Sequence, residues 1–291
     1  MSASTRLDAW EGRPIEEWRR HWRIPAVAAY AETGSTNDIA RALADQGAPA
    51  GQLVMTEHQT AGRGRMRRPW TDLPGRSLLL SFVLRPDPVQ PAAPGTAPLR
   101  VGVAIAAALR AAAGIDARIK WPNDVVVHGR KLAGILCEAT SAGGDSIIIA
   151  GIGINVLQRA EDWPEELRDH AVSVAQVAAP DAPGRAAVAD AVIAAMRPLF
   201  SRPLEPLDDA ELRAFARVDA LRGIEVSVTG AGRGADAGLG DNARRAIRGT
   251  VAGIAPDGAL LLEADDGMQR VATGTVRVSA TSTHITPRTP R

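Results

Sequence analysis

The chain has 291 residues, 45% of them hydrophobic and 23% charged, the composition of a soluble globular protein long enough for one large domain and one small one. Its 34 basic and 33 acidic residues leave a formal charge of +1, so no overall field argues for binding nucleic acid or an anionic membrane. The longest apolar run near the middle, Val101 to Leu109, falls short of the ~20 residues of a membrane helix, and the N-terminus lacks the pattern of a signal peptide.

Cys137 is the only cysteine, which excludes an intrachain disulfide; placed in an apolar run, it reads as a buried inert thiol in a cytoplasmic protein. Only Lys120 and Lys131 are lysines, and every other basic residue is arginine. A chain that uses arginine for generic surface cations should keep lysine where a compact, flexible ammonium differs from a planar fork. Both positions are therefore candidates for a site.

In chain order, residues 1–25 carry Trp10, Trp18 and Trp22 in an amphipathic pattern that predicts one short helical extension. The segment is too short for a helix-turn-helix module. A strand near Val27 to Glu32, a helix near Thr36 to Gln46 ended by Gly47, and a strand at Gln52 to Glu57 come next. A polar Arg- and Gly-rich stretch leads to a strand at Ser77 to Arg85, a Pro-rich surface loop, and an Ala-rich helix near Leu99 to Ala113. Three β runs follow, Ala117 to Trp121, Asp124 to His128 and Lys131 to Ala139, with a hairpin turn at Gly129-Arg130, and then Ser146 to Ile154.

Helices are predicted over Arg185 to Phe200 and Asp208 to Val218, and no aromatic residue occurs beyond Phe215. That shift places a domain boundary near Asp219. Five short β runs from Ile224 to Val278 predict a small barrel over 219–280, with a flexible insertion at Gly230 to Arg245 and a disordered tail over 281–291. The large domain, 26–218, reads as α+β, with helices and strands intermixed rather than segregated.

Gly62-Arg63-Gly64-Arg65-Met66-Arg67-Arg68-Pro69-Trp70 sets four arginines beside two glycines. Glycines admit backbone N–H groups close to an anion, guanidinium forks pair with carboxylate or phosphate, and Trp70 offers a flat face for a base. By spacing alone the loop serves equally as a solvated or nucleic-acid-binding segment. Lys120-Trp121-Pro122-Asn123-Asp124 joins two β runs across a proline, so a turn should aim Asn123 and Asp124 out of the sheet. Lys131 heads an apolar strand. Gly151-Ile152-Gly153-Ile154-Asn155 closes another with two side-chain-free positions that suit a flat ligand, and Asn155 can read an adenine edge. Ser35-Thr36-Asn37-Asp38 heads the first core helix, either as its cap or as the holder of a polar ligand head.

In this order the motifs resemble the biotin protein ligase family over Glu32 to Asn155, and Asp257 to Leu262 resembles the strand signature of that family's small SH3-like C-terminal domain. The resemblance implies a mixed-sheet catalytic domain of the biotin/lipoate ligase type, with ATP, Mg²⁺ and biotin as substrates or activator and no tightly bound prosthetic group. It implies that biotin meets Ser35, Thr36, Asn37, Gln59, Arg63, Gly64, Arg65, Lys131, Gly134 and Gly151. ATP or the adenylate would meet Arg65, Arg68, Trp70, Lys120, Asn123 and Asn155. Arg63, Arg65, Lys131 and Asp124 would carry the chemistry, and Asn123 and Asp124 would stand beside Mg²⁺.

The partner so implied is the biotin carboxyl carrier domain of an acyl-CoA carboxylase, with no DNA and no membrane. A monomer is expected, with a weak homodimer as the alternative. Two departures from the family pattern stand out: Arg67 replaces a second glycine that some members carry in the arginine loop, and a monofunctional ligase without the N-terminal DNA-binding domain of bifunctional members is expected. Lipoate ligases resemble the same fold, but the Gly-Arg-Gly-Arg and Lys-Trp-Pro-Asn-Asp pair favours biotin. A nucleic-acid-binding module is disfavoured by the charge balance and by a C-terminal region without aromatic residues. A silent adenylate sensor is disfavoured because both lysines and the arginine loop are kept.

Overall fold

The structure, a computed structural model, describes residues 5–88, 92–142, 145–232 and 246–279. Most of the expected insertion, from 233 to 245, and the tail from 280 lie outside the described residues. Strands β1 (Thr5–Arg6), β2 (Ala9–Trp10) and β3 (Arg13–Pro14) precede helix α1 (Ile15–Trp22), β4 (Val27–Thr33), α2 (Thr36–Asp45), β5 (Leu53–Gln59) and β6 (Ser77–Leu84). Helix α3 (Ala97–Ala113) leads to β7 (Arg118–Lys120), β8 (Asp124–Val127), β9 (Arg130–Ala142) and β10 (Asp145–Asn155), and then to α4 (Val174–Val177), α5 (Arg185–Met196) and α6 (Asp209–Val218). The last five strands are β11 (Glu225–Gly232), β12 (Ile247–Ile254), β13 (Leu260–Ala264), β14 (Gly267–Val271) and β15 (Thr273–Val278).

The main sheet has eight strands in the order β1-β4-β5-β6-β10-β9-β8-β7. Only β4 and β5 run parallel, which makes it the mixed sheet expected. Alternation along the strands sends side chains to opposite faces. Leu78, Leu80, Phe82 and Leu84 of β6 and Ile148, Ala150, Ile152 and Ile154 of β10 join α3 and α5 in the principal core. On the other face, α2 covers only Ala28, Tyr30, Val54, Val83, Ile147 and Ile149. The short α2 leaves the rest of that face open, and there the site lies.

The N-terminal region is more than the single helix expected. β1 pairs with β4 and widens the main sheet, and β2 and β3 form a separate ribbon. Two-residue strands carry no detectable periodicity, so the pattern could not announce them. The three tryptophans pack together, with Trp18 and Trp22 stacked at 4.9 Å between ring centroids. Helix α3 with its preceding turn, Pro94–Ala113, is 20 residues long and by length and composition alone could cross a membrane, although its uninterrupted apolar run is the shorter one read from the sequence. Its residues Leu99, Val101, Ile105 and Leu109 are buried under the sheet, as in an ordinary core helix. Burial pushes the Cys137 thiol up to about 12, which keeps it in the unreactive protonated form.

Arg185 heads α5 and ties three elements together. It donates to Glu57 on β5 at 2.5 Å and to Glu11 at 2.9 Å, with its own side chain 8% exposed. Removing a buried cation strands its partners' charges. Arg185→Ala is therefore expected to lower stability by about 3–5 kcal/mol in urea unfolding, and a loss under about 1 kcal/mol would refute the ion triad as a fold determinant.

The five C-terminal strands form an antiparallel sheet in the order β14-β13-β12-β11-β15. Among the described residues, no ladder joins its two edge strands. Its core of Val226, Val228, Val251, Leu260, Leu262, Val271 and Val276 is continuous with Leu99, Trp121 and Phe215 of the large domain. The Trp121 indole N–H donates to the Gly258 carbonyl at 2.9 Å. This packing holds the small sheet against the Lys-Trp-Pro-Asn-Asp turn.

Candidate active site

The open part of the sheet has a floor of glycine. Gly153 on β10 pairs with Gly134 on β9, and Gly151 pairs with Leu136 and, on its other side, Ser81. A Cβ at Gly153 or Gly134 would lie 2.6 or 2.9 Å from the Trp70 ring, and one at Gly151 would overlap Asn37 Oδ1. Here the absence of side chains permits the close approach of the Trp70 ring, where the sequence reading expected a flat ligand. Above the floor is a cavity of about 580 Å³, within the roughly 300–1,000 Å³ common for small-molecule sites.

At one end, the N-terminus of α2 is buried. Ser35, Thr36 and Asn37 are 4%, 4% and 3% exposed, and all line the cavity. The Ser35 side chain makes no capping hydrogen bond. Instead Gln59 Oε1 accepts from the Thr36 backbone N–H at 2.9 Å and from its hydroxyl at 3.1 Å, satisfying a donor that the helix cannot. Ser81 Oγ stands 2.7 Å from Thr36 Oγ1 and 2.6 Å from Asn37 Oδ1, so its single proton can serve either oxygen. Asn37 Nδ2 donates to Glu138 at 2.6 Å. The result is a polar pocket for a neutral head group.

The arginine segment is a hairpin, closed by Gly64 N–H to Arg68 O at 2.8 Å and Trp70 N–H to Gly62 O at 2.9 Å. Met66 and Arg67 at its tip hold φ of +55° and +56°. Arg67, the residue that departs from the family pattern, thus occupies a left-handed conformation that glycine adopts without strain, at a cost of about 1 kcal/mol. Arg63 forms a fork with Asp38 and stands 3.8 Å from Glu138; its guanidinium holds the Asp38 carboxyl below the usual range. Burial pulls the Arg65 pKa down while Asp124 supports its charge, and Arg65 donates to Gly274 O of the small domain at 3.4 Å.

At the other end, Lys131 Nζ pairs with Asp124 Oδ1 at 2.6 Å and lies 5.4 Å from the centre of the Trp70 ring. The Lys131 backbone is clamped on both sides, by His170 O and by Val172 N–H. Asn123 Nδ2 donates to Ile135 O at 2.8 Å, fixing the turn to β9. Lys120, Arg68, Asn123 and Asp124 line the same cavity.

The expected residues are thus gathered around one space, with one exception. Asn155 is 3% exposed and does not line the cavity; its amide N–H₂ donates to Lys131 O and Val172 O, so it braces the wall. Trp70 also differs from expectation, since its ring lies on the glycine floor, with a buried, unpartnered indole N–H. The sequence reading missed Ser81 and Glu138, which hold Asn37, and His170 and the small-domain residues Gly274 to Arg277, which complete the lining; it named Asp38 only as part of the motif heading α2, not as the partner of Arg63. The lone hydroxyl of Ser81 within Leu-Leu-Leu-Ser-Phe-Val-Leu was the one available signal.

A polar head pocket joined by a glycine floor to a nest of arginines and lysines can hold a neutral-headed carboxylic acid beside the phosphates of a nucleotide. The Biotin/lipoate A/B protein ligase family model matches residues 31–155, and that of the Biotin protein ligase C terminal domain matches 241–278. The Bifunctional ligase/repressor BirA of Bacillus subtilis is 36% identical over 245 residues, covering 81% of this chain and 69% of its own. The Biotin--[acetyl-CoA-carboxylase] ligase of Mycobacterium tuberculosis is 40% identical over 166 residues, 55% of this chain and 59% of that one. Among solved structures, a point mutant of biotin protein ligase from Aquifex aeolicus in complex with biotin superimposes with a TM-score of 0.68 and 25% identity over 88% of this chain and 99% of that one. The chain belongs to the biotin/lipoate A/B protein ligase family.

Proposed function

We propose that this enzyme activates biotin with ATP to biotinyl-5′-AMP, releasing pyrophosphate, and transfers the biotinyl group to a lysine of a biotin carboxyl carrier domain. The observation that carries this reading is the single cavity joining the Ser35-Thr36-Asn37-Gln59 pocket to Arg65, Lys131 and Lys120. The similarity to named biotin ligases and a bound-biotin relative supports biotin over lipoate.

In the first step a biotin carboxylate oxygen attacks the α-phosphorus and the bond to pyrophosphate breaks. Two anions must meet, so cations have to offset their repulsion and the charge that develops in the transition state. Lys131 and Arg65, both close to Asp124, would flank the carboxylate and α-phosphate, with Arg63 released from Asp38 to join them and Lys120 beside the outgoing phosphates. Trp70 would leave the glycine floor to the adenylate and stack on it. Bound Mg²⁺ would supply charge neutralisation to the phosphates. Among the described residues no cluster of three His, Cys, Asp or Glu forms a metal site by itself, and Asp124 with Asn123 fits the one or two protein contacts that such an ion uses.

In the second step the carrier lysine amine attacks the acyl carbon, AMP leaves, and the amine loses a proton. Its ordinary pKa of ~10.4 makes a proton acceptor necessary, and among the described residues lining the cavity Asp124 is the carboxylate. The expected result is pyrophosphate release from MgATP with biotin and not with lipoate, together with a biotinyl-AMP mass. Release with lipoate alone would move the enzyme to the sister branch of the family; silence with both would refute the reading. The enzyme acts as a monomer on its carrier partner, which sedimentation checks.

A further inference from the structure

Glu138 lies on β9, on the face it shares with Gly134 and Leu136 of the cavity lining. Its Oε2 accepts from Asn37 Nδ2 at 2.6 Å, and Leu136 O accepts from the same nitrogen at 3.4 Å. On the opposite side of the amide, Asn37 Oδ1 faces Ser81 Oγ at 2.6 Å and occupies the space over Gly151 where no Cβ stands. An ionised carboxylate has no proton to donate. The amide therefore has one orientation, nitrogen toward Glu138 and oxygen toward Ser81 and the cavity.

We infer that Glu138 is a positioning residue that sets specificity: by fixing Asn37 Oδ1 as an acceptor over the glycine floor, it selects an acid whose head carries N–H donors. This rests on the functional reading above and deepens it, because a cyclic urea offers two such N–H groups and a dithiolane ring none. A site built to accept from a substrate N–H strongly disfavours an analogue lacking it, since the buried oxygen, beside Ser81 Oγ, is then left with an unfilled lone pair. Glu138 also stands 3.4 Å from Arg41 and 3.8 Å from Arg63. Its charge thus reaches the arginine hairpin as well, and the test has to separate the two effects.

Glu138→Gln keeps the shape but can donate or accept, which frees the Asn37 amide to turn. The expected result is a rise of about tenfold or more in KM for biotin, with kcat and KM for ATP unchanged in pyrophosphate release. In an Asn37→Ala background the same substitution is expected to change nothing further, because the group it orients is gone. The double variant Asn37→Asp/Glu138→Gln exchanges the partners' roles, and it is expected to recover biotin KM to within about threefold of wild type. An unchanged biotin KM in Glu138→Gln, an effect confined to ATP, or full additivity with Asn37→Ala would overturn the inference while leaving the enzyme a biotin ligase. A wild-type protein without biotin-dependent release would overturn the functional reading and this inference with it.

Discussion

Lys131→Ala is expected to lower kcat/KM for biotin-dependent pyrophosphate release by about a thousandfold, or roughly 4 kcal/mol of transition-state stabilisation. The loss has two sources. The variant removes the ammonium proposed to stand between carboxylate and α-phosphate, and it deprives Asp124 of its partner at 2.6 Å, leaving Arg65 as its remaining nearby cation. The fold should persist, because the Lys131 backbone is held by His170 O and Val172 N–H regardless of side chain. Removing the stranded carboxylate as well, in Lys131→Ala/Asp124→Ala, is expected to recover part of the adenylation rate while leaving acyl transfer slow. Lys131→Arg should stay well below wild type, since the planar fork is longer than the ammonium and Lys131 already packs 3.0 Å from where a Gly134 Cβ would be. A Lys131→Ala enzyme within tenfold of wild type would remove this lysine from the chemistry.

The position of that lysine was legible in the sequence because a composition almost free of lysine made its two exceptions conspicuous. The strands were legible for a different reason. β6 and β10 are central, paired on both sides and buried, so they read as the apolar runs that central strands must be. What periodicity could not supply was anything set by pairing at a distance. The two-residue β1 exists only because β4 offers it a ladder, and Gly274 and Thr275 reach the arginine hairpin only because Trp121 and the small sheet share a core.

The polar wiring behind the pocket was hidden in the same way. Asp38 and Glu138 are ordinary charges in a helix and a strand until α2 docks over β9 and brings both to Arg63 and Asn37. Asn155 shows the reverse case. Its place at the end of the glycine-rich strand suggested a ligand contact, but its amide is taken up by the Lys131 and Val172 carbonyls, a demand of the buried backbone that no local pattern displays. Trp70 was expected to offer its flat face to a base, and it lines the cavity. The sequence could not show that the ring would rest on the glycines themselves.

Gly151→Ala is expected to raise the biotin dissociation constant by about a hundredfold or more, measured by calorimetry without ATP. The added Cβ would overlap Asn37 Oδ1, and that oxygen has no room to withdraw. Its amide nitrogen is held by Glu138 and Leu136 O, and its backbone belongs to the buried first turn of α2. Either the amide is expelled and the pocket loses its acceptor, or the helix shifts and separates Thr36 from Gln59. Overpacking of this kind also costs about 1–3 kcal/mol of stability. Gly153→Ala gives the contrast, because its Cβ meets the Trp70 ring, which belongs to the hairpin and can move with it. That variant should bind biotin almost normally and lose affinity for ATP, whose base would share the floor. Asn37→Ala/Gly151→Ala clears the collision, so it should regain the lost stability without regaining biotin. Wild-type biotin affinity in Gly151→Ala would mean that the ureido head binds elsewhere in the cavity.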